Sequence, residues 1–482
     1  MRILMLNPPF LPYFSRTSRS PEVSKGGTLY YPLWLAYASG VLESEGFEVK
    51  LLDAPARGYS TDQTTKEAEQ FKPDLIVVDT STPSIYNDVE IGQTLKRVCK
   101  DAFVLLVGTH PSAKPEETLN LSKEIDAVAR KEYDYTVRDL SFALERSGSI
   151  KDVSGISYRE NDNIFHNPDR PLIDDLDCLP FVSEVYRRHL HIENYFYAAN
   201  LHPVITILSG RGCPNRCKFC LMPQTFTGRR HRFRSIGNII KELNFIKQEF
   251  PHVKEVFFED GTLTTNTVRI RKLCSMISQS DLDITWSCNS RADLDRGILK
   301  VMKKAGCRLL CVGFESGCQE ILNNVNKGID VEKAKKFARS CKEVGIKVHG
   351  CFIFGLPGET FETIRQTIEY AKSLNVDSVQ FYPIMVYPGT ELYNWALENN
   401  HLTTEDYSQW LTKEGVHNCL TSYPHLSSSM LTKVCDEALK EYYFRASFIM
   451  SQLKLCARHP SEIKRIMKAF RAYFRYFMES KA

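Results

Sequence analysis

No window of this chain comes near the roughly 18 uncharged apolar residues that a membrane-spanning helix needs, so no transmembrane helix is expected. The first apolar run, Met1 to Leu6, is too short for a signal peptide and leads straight into a strand-like pattern. Charge of one sign is also lacking. Lys and Arg total 62 against 58 Asp and Glu, and the resulting +4 is too slight to argue for a nucleic-acid partner. There is no internal repeat, low-complexity stretch, Ser–His–acid arrangement, phosphate loop or zinc-protease motif. Cysteine is not scarce, at 15. An odd number in a long chain without an export signal argues against a disulfide framework, leaving metal ligation or simple burial. The expected location is the cytoplasm.

At 482 residues the chain exceeds what one core usually serves, so two or three domains are expected. Residues 2–7, 47–53, 74–80 and 102–108 read as strands, and 127–129 as a short fifth. Residues 31–45, 64–71, 89–100 and 115–122 have helical spacing between them. This βαβα alternation predicts a doubly wound, Rossmann-like parallel sheet over residues 1–149. Ligands of such sheets sit at the carboxyl ends of the strands. Those ends carry Asn7-Pro8-Pro9, Thr80-Ser81-Thr82-Pro83 and Gly108-Thr109-His110-Pro111.

Residues 150–202 read as a charged, turn-rich connector. A second series then offers strands at 204–208, 255–258, 284–287, 308–314, 347–354 and 378–382, with helices such as 331–343 and 360–374 between them. Six such units predict a partial (β/α)6 TIM-type barrel over 203–395, with its functional groups at the C-terminal strand ends. Residues 396–482 read as a helical region. Its last helix, from Ser461, carries Ile463, Ile466, Met467, Phe470, Phe474 and Phe477 on one face and basic residues elsewhere. Peripheral membrane contact and core packing with a solvated basic face are both open for that helix.

The sharpest local pattern is Cys213-Pro-Asn-Arg-Cys217-Lys-Phe-Cys220, which follows the first barrel strand and Ser209-Gly210-Arg211-Gly212. Thiolates are soft ligands suited to iron–sulfur clusters. Three closely spaced cysteines leave one iron of a four-iron cluster open, as a catalytic metal needs. Zinc is the rival, but a structural zinc site wants a second paired arm and none is evident.

The C-x3-C-x2-C spacing, with Phe219 before the last cysteine, resembles the signature of the radical S-adenosylmethionine (SAM) superfamily. The resemblance implies a 4Fe–4S cluster on Cys213, Cys217 and Cys220 whose open iron binds SAM. One electron then yields a 5′-deoxyadenosyl radical that abstracts hydrogen from an unactivated carbon. An electron donor such as flavodoxin or ferredoxin is implied as a partner. Strand ends that resemble the family's SAM contacts carry Glu259 and Asp260, Asn289 and Arg291, Glu315 and Ser316, Gly355, and Tyr382. Together with Phe219 these are the expected SAM-binding residues.

A doubly wound domain ahead of such a barrel resembles the cobalamin-binding class, which holds methyltransferases and the anaerobic chlorophyll-ring cyclase. The resemblance rests on Tyr31-Pro32-Leu33-Trp34-Leu35-Ala36-Tyr37 and Val107-Gly108-Thr109-His110-Pro111. It makes Pro8, Pro9, Thr80, Ser81, Thr82, Gly108 and His110 the expected cobalamin contacts. The D-x-H-x-x-G motif is absent, Val107 stands before Gly108 where two glycines are common, and residues 129–134 replace the usual Gly-Glu-x-Glu. Those residues, with Ser81-Thr82-Pro83-Ser84, Leu179-Pro180-Phe181-Val182 and the segment after Cys220, resemble the hopanoid-associated branch.

Among the remaining cysteines, Cys307, Cys311 and Cys318 are spaced C-x3-C-x6-C, but strand direction would splay them apart. Buried small side chains are therefore expected there rather than a second cluster. Cys288 and Cys351 flank the barrel mouth and are the candidate catalytic thiols. The leading expectation is a cobalamin-linked radical SAM enzyme that modifies an unactivated carbon of a lipid or secondary metabolite, by methyl transfer or related remodelling. Two alternatives remain: a cobalamin-independent enzyme forming a ring or carbon–carbon bond, and a non-catalytic iron–sulfur protein.

Overall fold

The structure is a computed structural model describing residues 1–17, 19–280 and 282–458, with isolated positions 463, 467 and 471. Apart from those three positions, the helix expected from Ser461 lies outside the described residues.

The first sheet has seven strands: β1 (Arg2–Asn7), β2 (Glu48–Asp53), β3 (Leu75–Thr80), β4 (Phe103–Gly108), β5 (Ala127–Ala129), β6 (Ile156–Glu160) and β7 (Asn163–His166). Their spatial order is β2-β1-β3-β4-β5-β6-β7. The first five run parallel, as the apolar runs predict for strands covered on both faces. The order reverses at β1 and β3, which makes that crevice the ligand-side switch point.

The last two strands come from the segment expected to be only a connector. They form an antiparallel hairpin turned at Asn161 and Asp162, both at positive φ. The same segment supplies helix Val182–His189, packed against helix Leu33–Ser44. Short strands beside charged turns carry little periodicity, which is why this extension is weak in the sequence.

Next come β8 (Val204–Ile207) and the two-residue pair β9 (Gly210–Arg211) and β10 (Arg232–Phe233). β11 (Glu255–Phe258), β12 (Trp286–Ser290), β13 (Cys307–Glu315), β14 (Lys347–Phe354) and β15 (Ser378–Pro383) follow. The larger strands form a six-stranded parallel sheet in the order β15-β14-β13-β12-β11-β8, an open barrel. Helix Ser428–Tyr443 covers its free edge. The hydroxyl of Tyr443 donates to the carbonyl of Val379 at 2.7 Å and accepts from its N–H at 2.9 Å.

Between β1 and helix Leu33–Ser44 runs a strap, residues 8–32, which carries a bridge from Ser15 to Glu22. It crosses from the first sheet to the barrel. The N–H of Leu29 donates to the Phe196 carbonyl at 2.9 Å, and the Tyr31 hydroxyl to the Val204 carbonyl at 2.7 Å. The strap also reaches the C-terminal region through Val23 to Gly415 and Lys25 to Asp436.

Among the described residues no helix is long and apolar enough to cross a membrane. The fifteen cysteines are all free.

Candidate active site

The loop bearing the three cysteines is built around close backbone contacts. Gly212 has φ +86°, and a Cβ there would stand 2.1 Å from the carbonyl oxygen of Arg230, so only glycine fits. Gln224 ties the loop together by donating its amide to the carbonyls of Lys218 at 3.1 Å and Cys220 at 2.8 Å. Cys213, Cys217 and Cys220 all line one cavity of about 340 Å³ at the barrel mouth. No three His, Cys, Asp or Glu side chains among the described residues converge on a single-ion position. Three thiols at one cavity suit soft iron–sulfur ligation. Burial pushes the Cys220 thiol up to about 12 and raises that of Cys217. Their thiolate forms therefore call for the positive charge that bound iron brings.

Six of the nine expected SAM contacts line the same cavity: Phe219, Glu259, Asn289, Arg291, Glu315 and Tyr382. Asn289 donates to the Glu259 carboxylate at 3.4 Å and to the Asp260 carbonyl at 3.3 Å. Burial raises Glu259 to about 7 against the pull of Arg19, and its Oε2 is buried without a partner. Glu315 lies at φ +64° and accepts from Lys327 at 2.6 Å. A left-handed glutamate at a strand end is strained backbone kept where a side chain must be aimed. The wall thus offers Glu259 and Glu315 together with Arg19, Arg291 and Lys327. A ligand such as SAM, with an ammonium, a sulfonium and a carboxylate, finds partners of both signs.

Three expected contacts do not line it. The Asp260 carboxylate turns back to Ser209, accepting from its N–H at 2.7 Å and its hydroxyl at 2.5 Å, and so braces the cysteine loop. Ser316 holds the turn after β13 through Thr367 and Cys318. Gly355, at φ +91°, makes its turn by donating its N–H to Glu359.

The two candidate thiols separate as well. Cys351 lines the cavity, whereas Cys288 is fully buried away from it. Cys311 lines it too, because it pairs in register with Asn289 and shares its inward face. Cys288→Ala is expected to leave SAM cleavage within about twofold of wild type, as a buried small residue should. Cys351→Ala is expected to alter product yield, read by anaerobic turnover and chromatography.

The sequence reading missed the strap. Arg19 donates to the carbonyls of Asp260 at 2.6 Å and Gly261 at 3.3 Å, and Tyr30 walls the cavity. A long irregular stretch inside a βα unit was the available signal, since such connections usually run to about 2–6 residues. Three positions further back in the strap, Arg16 is fully buried at the carboxyl end of the first sheet. It donates to Asp88 at 2.6 and 3.1 Å, to Asn7 at 2.9 Å and to the Pro8 carbonyl at 2.5 Å.

Of the expected cobalamin contacts, Thr80 and Gly108 line a second, small cavity with Arg16, Trp34, Asp79 and Tyr133. Pro8, Pro9, Ser81, Thr82 and His110 are buried and do not line it. Ser81 bonds Ser84 at 2.7 Å, and His110 bonds Thr82 at 3.2 Å while meeting Tyr407 edge-on. Burial lowers His110 to about 3, so its ring is neutral.

Residues 207–371 match the radical SAM superfamily, and residues 22–141 match the B12 binding domain. An uncharacterized methyltransferase of Pyrococcus horikoshii is 31% identical over 476 residues, covering 98% of this chain and 99% of its own.

The chain belongs to the radical SAM superfamily.

Other relatives of this radical SAM chain include the anaerobic magnesium-protoporphyrin IX monomethyl ester cyclase of Rubrivivax gelatinosus. It is 28% identical, over 82% of this chain and 69% of its own. Among solved structures, the radical SAM methyltransferase TsrM from Kitasatospora setae superposes with a TM-score of 0.64 at 19% identity, covering 83% of this chain and 75% of TsrM. The cobalamin-dependent radical SAM enzyme OxsB gives 0.63 at 18% identity, covering 90% and 61%. These likenesses carry the fold: a Rossmann-like sheet followed by a radical SAM barrel. The protein is an enzyme whose cofactors are a 4Fe–4S cluster, SAM and cobalamin.

The first two fit the large cavity as described. At the cobalamin loops the donor set fits a polar ligand edge. Asp79 Oδ2 and the Tyr133 hydroxyl are buried without partners beside the small cavity. Gly108, at φ +123°, leaves bare backbone where a Cβ would lie 2.3 Å from the Thr80 carbonyl oxygen. The space is about 20 Å³, room for about one water and far smaller than a corrin ring, and Arg16 and Thr17 of the strap form part of its wall.

Burial raises Asp79 to about 8, against the pull of Arg16. Its folded value lies above the unfolded one, so the folded state binds the extra proton and stability falls as pH rises from about 4 to about 8. Asp79→Asn is expected to flatten that fall, read as urea midpoints against pH. An unchanged slope would contradict it.

Proposed function

We propose that the protein is a cobalamin-linked radical SAM methyltransferase acting on an unactivated carbon of a small molecule, in the cytoplasm, with a flavodoxin or ferredoxin as electron donor. The observation that supports this best is the shared cavity: three cysteines and polar ends of successive barrel strands on one side, and a strap from the B12 binding domain on the other. When bound, the cluster and SAM supply a 5′-deoxyadenosyl radical and methylcobalamin supplies the methyl group.

The chain's own residues do the rest. Cys213, Cys217 and Cys220 hold iron. Glu259, Glu315, Arg291 and Lys327 offer charges that can orient SAM. Tyr30 and the strap limit water at the mouth, as radical chemistry requires. Deeper in the barrel, His349, Gln380, Asn200 and Cys351 line the cavity. That polar floor favours a substrate with hydroxyl or amide groups over an all-hydrocarbon one. The cyclase relatives favour a second reading, ring or carbon–carbon bond formation.

The test uses anaerobically reconstituted, corrinoid-loaded protein with reductant, methyl-labelled SAM and a small-molecule cell extract as the source of the acceptor. 5′-Deoxyadenosine together with a labelled product supports methyl transfer. 5′-Deoxyadenosine with an unlabelled, dehydrogenated product supports ring formation. No 5′-deoxyadenosine above background rejects both readings.

A further inference from the structure

The cysteine loop is held from behind by acids of the other sheet. Arg211 stands two residues before Cys213. Its guanidinium donates to both oxygens of Asp134, at 2.7 and 3.0 Å. It lies 5.0 Å from the ring of Trp34 and 4.9 Å from that of Tyr37, both on helix Leu33–Ser44. Directly across the β9–β10 pair, Arg232 donates to both oxygens of Glu132 at 2.8 and 2.5 Å. It also donates to the carbonyls of Ile173 at 2.6 Å and Thr227 at 2.8 Å. Glu132 comes within 3.8 Å of Arg211 as well, joining the two pairs. All four charged side chains are at most 2% exposed.

Glu132 and Asp134 follow directly on Lys131, which sits at φ +61°. That is a conformation glycine favours. The segment 131–134 thus keeps the acid-x-acid spacing of a Gly-Glu-x-Glu turn, with lysine held in the glycine conformation by its N–H bond to Ser112 at 2.8 Å. A buried ion network is a weak device for stability, because desolvation offsets most of the attraction. Two bidentate pairs are a strong device for direction, since each locks a planar guanidinium to a planar carboxylate. Here the locked strand pair is the one that delivers the chain, through Gly212, to Cys213.

We infer that Asp134 and Glu132 are positioning residues for radical generation: acids of the B12 binding domain that aim the cluster loop through Arg211 and Arg232. The inference rests on the cluster assignment and is independent of whether methyl transfer or ring formation follows. It gives the N-terminal half a part in SAM cleavage separate from holding cobalamin.

The test compares wild type, Asp134→Asn, Asp134→Glu and Arg211→Lys after anaerobic reconstitution. Iron content, the electron paramagnetic resonance spectrum of the reduced cluster with and without SAM, and 5′-deoxyadenosine yield are measured. Asp134→Asn is expected to bind iron, to lose or shift the spectral change on adding SAM, and to cleave SAM about 10–100-fold more slowly, the usual cost of losing an outer-shell partner of a metal site. Asp134→Glu, which keeps the charge, should recover part of both. If Asp134→Asn fails to fold, Arg211→Lys decides, because it preserves charge balance while breaking the bidentate geometry. Wild-type spectra and rates in a folded Asp134→Asn or Arg211→Lys protein would overturn the inference. Wild type that itself shows no SAM-dependent spectral change would instead reject the radical SAM reading of the site.

Discussion

Alanine at Cys213, Cys217 and Cys220 together is expected to remove the visible absorption of the thiolate-bound cluster and to reduce SAM cleavage to background. The reason is local and complete. These three thiols line the large cavity at the point where the loop from Gly212 to Gln224 closes on itself. The other two cysteines on that wall, Cys311 and Cys351, come from neighbouring strands deeper in the barrel. Without the three, iron has no soft ligand set at the mouth. Single substitutions should each reduce iron loading, with the triple variant as the limit. The fold should survive, because the loop is held by Arg211, Asp260 and Gln224 rather than by metal. Thermal unfolding of the triple variant close to that of the metal-free wild type would support this. Absorption that persists in the triple variant would show that the ligands lie elsewhere.

Arg16→Met is expected to destabilise the protein by about 3–5 kcal/mol, the range for removing one partner of a buried ion pair. Arg16 and Asp88 are both completely enclosed, and Asp88 keeps only Ser84, Ser81 and Asn87 as neutral partners once the guanidinium is gone. The double variant Arg16→Met, Asp88→Leu should recover most of the loss, because an apolar pair replaces a lone buried charge. Urea unfolding of the single and double variants measures both. A single variant within about 0.5 kcal/mol of wild type, the range of surface substitutions, would show that the strap is not anchored here. The same substitution frees the strap from the first sheet while Arg19 still ties it to the barrel. Faster corrinoid uptake by Arg16→Met would identify the strap as the barrier over the small cavity.

Some of the site could be read from the sequence because its signals are local. The cysteine spacing, the apolar runs of β1, β3 and β4, and the short strand Ala127–Ala129 all lie within a few residues of themselves. Strand ends were harder. The sequence pattern ends the third barrel strand at residue 287, which sets Cys288 at the barrel mouth. The strand in fact runs on to Ser290. Asn289 lines the cavity, whereas Cys288, its neighbour along the strand, points into the core. Ser316 and Gly355 stand at the expected strand ends, yet their own turns consume them. Asp260 lies on the expected loop, but its carboxylate serves the loop rather than the cavity. His110 fell at the expected strand end, and Tyr407, far along the chain, covers it.

The chemistry is legible along the chain: three thiols in the spacing expected of a cluster site, set behind a Rossmann-like sheet and inside a series of βα units. Each of those is a pattern of neighbours along the chain. Packing sets which groups meet. Asp134 reaches Arg211 across 77 residues, and Glu132 reaches Arg232 across 100. Arg19 crosses 241 residues to the Asp260 carbonyl. Such pairs leave no periodicity in the chain, because register, turn direction and the packing of one sheet against the other set them. They exist only once both sheets have folded.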